Sequence, residues 1–133
     1  MGYVTGFSEI VLIVNDVLES ARFYREVVGL EPSTEPNAEW AWFWTGQRGE
    51  REEIGLHKGT LLFEEHSPYP PGERWGHLHF ALNVEPGRVD DAVRQVRDAG
   101  VEVYGPQPLG RSVGYYFYDP DGNLVEFWVP NER

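Results

Sequence analysis

Apolar and polar residues alternate with period two from Leu124 to Val129. Leu124, Glu126 and Trp128 point one way; Val125, Phe127 and Val129 point the other. The second set is uniformly apolar and faces a core. Glu126 therefore stands mid-strand on the opposite face, between two large apolar groups. A carboxylate there is costly unless it is paired, wet or bound to a metal. Upstream, Tyr115 to Tyr118 is an aromatic run of strand formers. Asp119-Pro120-Asp121-Gly122 separates the two runs and reads as a turn: Pro presets φ, Asp bonds back to the backbone, and Gly takes a positive φ. Together they predict a terminal hairpin.

The same reading along the rest of the chain predicts a strand over Phe7–Val14, with Glu9, Val11 and Ile13 on one face and Ile10, Leu12 and Val14 on the other. Asp16 has the chemistry of an N-cap, with Glu19 completing a capping box, and Gly29 ends a helix running to about Val28. Trp40–Thr45 alternates, with Trp40, Trp42 and Trp44 sharing a face. A polar turn at Gln47–Glu52 leads to a returning strand, Glu53–His57, with Gly55 and His57 on one face. Leu61–Glu65 has the composition of a short strand, and Ser67–Glu73, with three prolines, of a linker. Trp75–Val84 is a further strand, with Trp75, His77, His79, Ala81 and Asn83 on one face. Pro86–Ala99 is a helix stopped by Gly100, Val101–Tyr104 is extended, and Gly105–Arg111 is a loop.

Two halves emerge, each reading strand, helix, glycine stop, short strand and hairpin. Glu9-Ile10-Val11-Leu12 overlays His77-Leu78-His79-Phe80 with the apolar positions in phase. His57 lies 48 residues after Glu9, and Glu126 lies 49 after His77. Glu9, His57, His77 and Glu126 thus take matching places in two βαβββ units. If the fourth strand is instead Leu61–Glu65, Glu64 or Glu65 replaces His57. Side by side, the units make a curved mixed sheet (an α+β fold) with helices outside and a trough inside. The chain is then one domain, residues 1–133: one module over about 5–66, a linker over about 67–74 and a second module over about 75–130.

Composition narrows the function. A net charge of −11 argues against nucleic acid and anionic membranes. The sequence has no run of about 18 apolar residues and no visible signal peptide. Cysteine is absent, which excludes disulfides and thiol chemistry and fits a cytoplasmic protein. Five tryptophans and 14% aromatic residues are enough to line a cavity as well as fill a core.

Three stretches carry a resemblance to a known family: Val14-Asn15-Asp16 through Phe23-Tyr24 to Gly29-Leu30; Gly76-His77-Leu78-His79-Phe80; and Phe117 to Asn123 with Glu126. The layout they mark extends over essentially the whole chain, which resembles the vicinal oxygen chelate superfamily of glyoxalases, extradiol dioxygenases, fosfomycin-modifying enzymes and bleomycin resistance proteins. The resemblance implies a divalent metal (Zn, Ni, Mn or Fe) held by Glu9, His57, His77 and Glu126. Imidazole and carboxylate donors suit such ions, which act as Lewis acids on two substrate oxygens. Glu126 or Glu9 then moves a proton. Tyr116 stands ten residues before Glu126 at a place where superfamily enzymes contact substrate; its parity depends on the hairpin register. Trp75, His79 and Trp128 share the trough faces and are expected to wall the site. Arg111 can meet an anionic substrate group.

Two functions follow from the resemblance. One is a metal-dependent enzyme acting on a small molecule with neighbouring oxygens, by proton transfer or by dioxygenase chemistry. The other is a metal-free binding protein of the bleomycin-resistance type. A homodimer is expected in either case.

Overall fold

Local signals set the ends of the first helix. Asp16 is extended and accepts a hydrogen bond from the Glu19 N–H at 3.1 Å, capping α1 (Val17–Arg22). The helix continues from Phe23 to Val28 as a wider π-type turn, and Gly29, at φ 90°, ends it. The structure is a computed structural model describing residues 2–4, 6–47, 52–72 and 77–131. Around α1 lie β1 (Glu9–Val14), β2 (Glu31–Pro32), β3 (Trp40–Trp44) and β4 (Glu53–Lys58). The second unit repeats the order with β5 (His79–Asn83), α2 (Val89–Asp98), β6 (Tyr104–Pro108), β7 (Ser112–Tyr118) and β8 (Leu124–Pro130).

Each unit forms a mixed four-stranded sheet, ordered β1-β4-β3-β2 and β5-β8-β7-β6. In each, the first strand runs parallel to the last and the remaining pairs are antiparallel. This is the duplicated βαβββ architecture. The helices cover one face of each sheet, and the strand-borne candidates Glu9, His57, His79, Tyr116, Glu126 and Trp128 lie on the other. One core unites the units. Leu12, Phe43 and Leu56 of the first sheet cluster with Phe117, Val125 and Phe127 of the second, around Tyr24 of the first helix and Val96 of α2. Neighbouring residues of one helical turn reach both sheets: the Phe23 ring lies 6.2 Å from Phe117 on β7, and the Tyr24 ring 6.4 Å from Phe43 on β3. The sheets close on the helix from two sides, so their far faces point away from the shared core.

The Asp119–Asn123 turn fastens the second unit to the first. The buried Asp119 carboxylate accepts four hydrogen bonds: from the Tyr24 hydroxyl at 2.6 Å, the Asp121 and Asn123 N–H groups, and the Asn123 side chain. Asp121 accepts from the Asn15 N–H and the Ser20 hydroxyl, both at 3.0 Å. Burial, and then the Asp119 charge, push the Tyr24 phenol far above its ordinary ionisation range.

Some elements differ from the sequence reading. Leu61–Glu65 is not a strand; it forms turns ending in a 3-10 turn at Glu64–His66, with Phe63 left-handed at φ 58°. The place beside β1 and β3 is already taken by β4 (Glu53–Lys58), so this segment is not the fourth strand of the unit. Glu64 and Glu65 therefore do not replace His57 on a fourth strand. The second helix starts at Val89 after a 3-10 turn at Pro86–Arg88. Part of the expected Gly105–Arg111 loop pairs as β6, with a bulge between Tyr104 and Gln107. Among the described residues, no helix is long and apolar enough to cross a membrane.

Candidate functional site

The far face of the second sheet gathers three of the candidate residues. Tyr116 on β7 lies directly opposite Glu126 on β8, because the hairpin pairs without slip from Tyr118–Leu124 to Ser112–Pro130. β5 runs along the other edge of β8, with Ala81 beside Glu126 and His79 beside Leu124. This offset brings the His79 imidazole diagonally back to Glu126, with Nε2 3.0 Å from Oε1. The His79 and Tyr116 rings are 5.9 Å apart.

Glu126 is 5% exposed, whereas the His79 side chain is 52% exposed. The Glu126 carboxylate is therefore held under the face and the imidazole reaches it from the solvent side. Its second oxygen, Oε2, is fully buried and accepts no hydrogen bond from the protein. An ionised carboxylate with one orphaned buried oxygen has lost hydration without replacing it. The Tyr116 hydroxyl faces the same carboxylate. Desolvation first, and then the Glu126 charge, hold the Tyr116 phenol protonated above its ordinary value. Gly114 lies next along β7 on this face. A Cβ there would sit 2.8 Å from both Glu126 Oε2 and the Tyr116 hydroxyl.

The first sheet carries a different set. Glu9, Glu53 and Trp44 form one row across β1, β4 and β3; Val11, Gly55 and Trp42 form the next; Ile13, His57 and Trp40 the third. The Trp40 and Trp42 rings stack at 5.4 Å and 8°, and the His57 ring lies 4.0 Å from Trp40. His57 is thus part of an aromatic layer, and its Nδ1 contacts the Thr60 carbonyl oxygen. Aligning the units on the first residues of their strands, Glu9 with His79 and Glu53 with Leu124, shifts the overlay of Glu9 on His77 by two residues and puts Gly55, rather than His57, at the place of Glu126.

His77 precedes β5, is exposed, and packs near Gly122 of the turn. It lines a cleft of about 560 Å³ with Val14, Asn15 and Asp121. Glu9 lines a separate cleft of about 520 Å³ with Phe7 and Phe80. Neither cleft is lined by Glu126. Arg111 is exposed just before β7, and Trp128 is half-buried opposite Gly114. Trp75 lies outside the described residues. The structure therefore brings His79, Tyr116 and Glu126 together, but not Glu9, His57 or His77. Among the described residues, no three His, Asp or Glu side chains converge as a metal cluster. His79, read from sequence as a trough wall, is the residue that touches the acid. Gly114 bears one trait legible in the sequence, a glycine between two strand-forming stretches.

The Glu126–His79 pair can hold a proton or supply two donors to a cation, and Tyr116 can exchange a proton with a bound oxygen. Comparison with known proteins agrees with the fold. The sequence profile of the Glyoxalase/Bleomycin resistance protein/Dioxygenase superfamily matches residues 6–127. The chain is 31% identical over 123 residues to virulence protein STM3117 of Salmonella typhimurium, covering 88% of this chain and 78% of that one. It is 28% identical over 130 residues to fosfomycin resistance protein FosX of Listeria monocytogenes, covering 92% and 88%. Among solved structures, an integron cassette protein, HFX_CASS4, from the Halifax Harbour sewage outfall metagenome, superposes with a TM-score of 0.72 at 26% identity, over 95% of this chain and 99% of that one. The chain thus belongs to the Glyoxalase/Bleomycin resistance protein/Dioxygenase superfamily.

Proposed function

We propose that the protein is a divalent-metal-dependent enzyme acting on a small molecule with neighbouring oxygens, and that His79 and Glu126 hold the metal. The observation that carries this reading is the buried, partnerless Oε2 of Glu126 beside an imidazole. Such a pair fits a borderline divalent ion, because each donor suits it and the orphaned oxygen gains the cation it lacks. Two donors do not complete a site, and Glu9 is the candidate third. The far faces of the sheets turn away from the common core, so Glu9 would come from a second copy of the chain in a homodimer. Once bound, the metal would supply Lewis-acid polarisation of the substrate oxygens. The protein's own contribution is to hold His79 and Glu126 in place and to present the protonated Tyr116 hydroxyl as a proton donor to bound oxygen. A relative named for fosfomycin resistance supports a small-molecule substrate.

Elemental analysis of protein purified without chelator tests this. About one equivalent of metal per chain is expected in the wild type and less than a tenth of that in His79→Ala. Equal contents in the two would overturn the assignment.

A further inference from the structure

We infer that Gly114 is the positioning residue of the Glu126 site: its bare backbone is the notch in which the Glu126 carboxylate and the Tyr116 hydroxyl are brought together. The geometry is direct. A Cβ on Gly114 would lie 2.8 Å from Glu126 Oε2, 2.8 Å from the Tyr116 hydroxyl oxygen and 3.0 Å from Tyr116 Cε1. Real Cβ atoms do not approach so closely, so any larger residue displaces one group or both. Gly114 is itself buried, within a strand where glycine otherwise only weakens pairing. Backbone conformation does not explain it, since its φ is not in the positive range that glycine alone favours.

The internal duplication supplies the contrast. With Glu9 aligned on His79, the place of Glu126 is taken in the first sheet by Gly55, and the place of Tyr116 by Trp42. There a Cβ on Gly55 would lie 2.5 Å from the Trp42 ring, so that glycine accommodates an indole and the face is filled by aromatic packing. In the second sheet the glycine has moved to the strand bearing the phenol, and the space goes to an acid and a hydroxyl. Both units use a glycine notch, but only the second uses it to join two proton-bearing groups.

This rests on the proposed function for its catalytic meaning, but its test does not need metal. The closeness of the two groups is read from NMR cross-relaxation between the Tyr116 ring and the Glu126 side chain of metal-free protein, assigned with Tyr116→Phe. The wild type should show these contacts. Gly114→Ala should weaken or remove them, with the far-ultraviolet circular dichroism unchanged. If Gly114→Ala does not fold, it is combined with Glu126→Ala and Tyr116→Phe, which removes both colliding oxygens. Recovery of folding in the combined variant supports the notch, and no recovery overturns it. Contacts in a folded Gly114→Ala protein as strong as in the wild type also overturn it. Mn2+ binding is measured on the same samples. If the wild type binds none, the metal reading fails while the side-chain contacts still decide this inference. If Gly114→Ala binds as well as the wild type with the contacts retained, the inference fails and the metal reading stands.

Discussion

Asp119→Ala is expected to destabilise the protein by about 3–5 kcal/mol, the scale of breaking a buried charged network. The carboxylate accepts four hydrogen bonds, and its removal leaves the Tyr24 hydroxyl and the turn N–H groups buried without an acceptor. Each orphaned donor costs about 1–3 kcal/mol, against a typical total stability of only about 5–15 kcal/mol. Asp119→Asn keeps the shape and loses the charge, so it should cost less. Urea unfolding monitored by tryptophan fluorescence measures both, and a loss below about 1 kcal/mol for the alanine variant would show that the turn does not fasten the two units. The same bond has a pH signature. The folded-state ionisation of Tyr24 lies above its unfolded value of 10.0. Its contribution is therefore fully present below pH 10 and is lost as pH rises beyond it, by up to about 1.4 kcal/mol per pH unit for one group. Tyr24→Phe should remove that group's share of the alkaline slope.

Glu126→Met is expected to stabilise metal-free protein by about 1–3 kcal/mol, the usual cost of a buried polar atom left unpaired. Its partner His79 is half exposed, so it returns to water without leaving a stranded buried charge. The same substitution should abolish metal binding. A variant that gains stability while losing the site is what a functional residue kept at a structural cost looks like. Thermal unfolding in the presence of chelator checks it. A fall in the midpoint would mean that Glu126 is a structural ion-pair partner.

Which of these features the sequence makes legible follows from what a period-two pattern can encode. Parity is encoded: Glu9, His57, His79 and Glu126 all lie on the faces expected of them. Register is not, because a slip of two residues keeps every side chain on its own face. That is why His77 and His79 are interchangeable by pattern, and why His57 and Gly55 trade places when the overlay of the two units shifts by two residues. The Asp16 cap and the Gly29 stop were readable because each depends on chemistry within a few residues. The opposition of Tyr116 and Glu126 was nearly so, since it needs only the five-residue Asp119–Asn123 loop to close between Tyr118 and Leu124. The stacked Trp40 and Trp42 rings and the Gly114 notch depend on contacts between non-adjacent side chains and are visible only in three dimensions.

The most direct measurement of the central claim is calorimetric titration of metal-stripped protein with Mn2+, comparing His79→Ala with His77→Ala. The imidazole that touches Glu126 should matter and the one beside the turn should not. A loss of affinity of at least about tenfold for His79→Ala, with His77→Ala close to wild type, is the predicted result. The reverse ranking, or equal affinities in all three proteins, would contradict it.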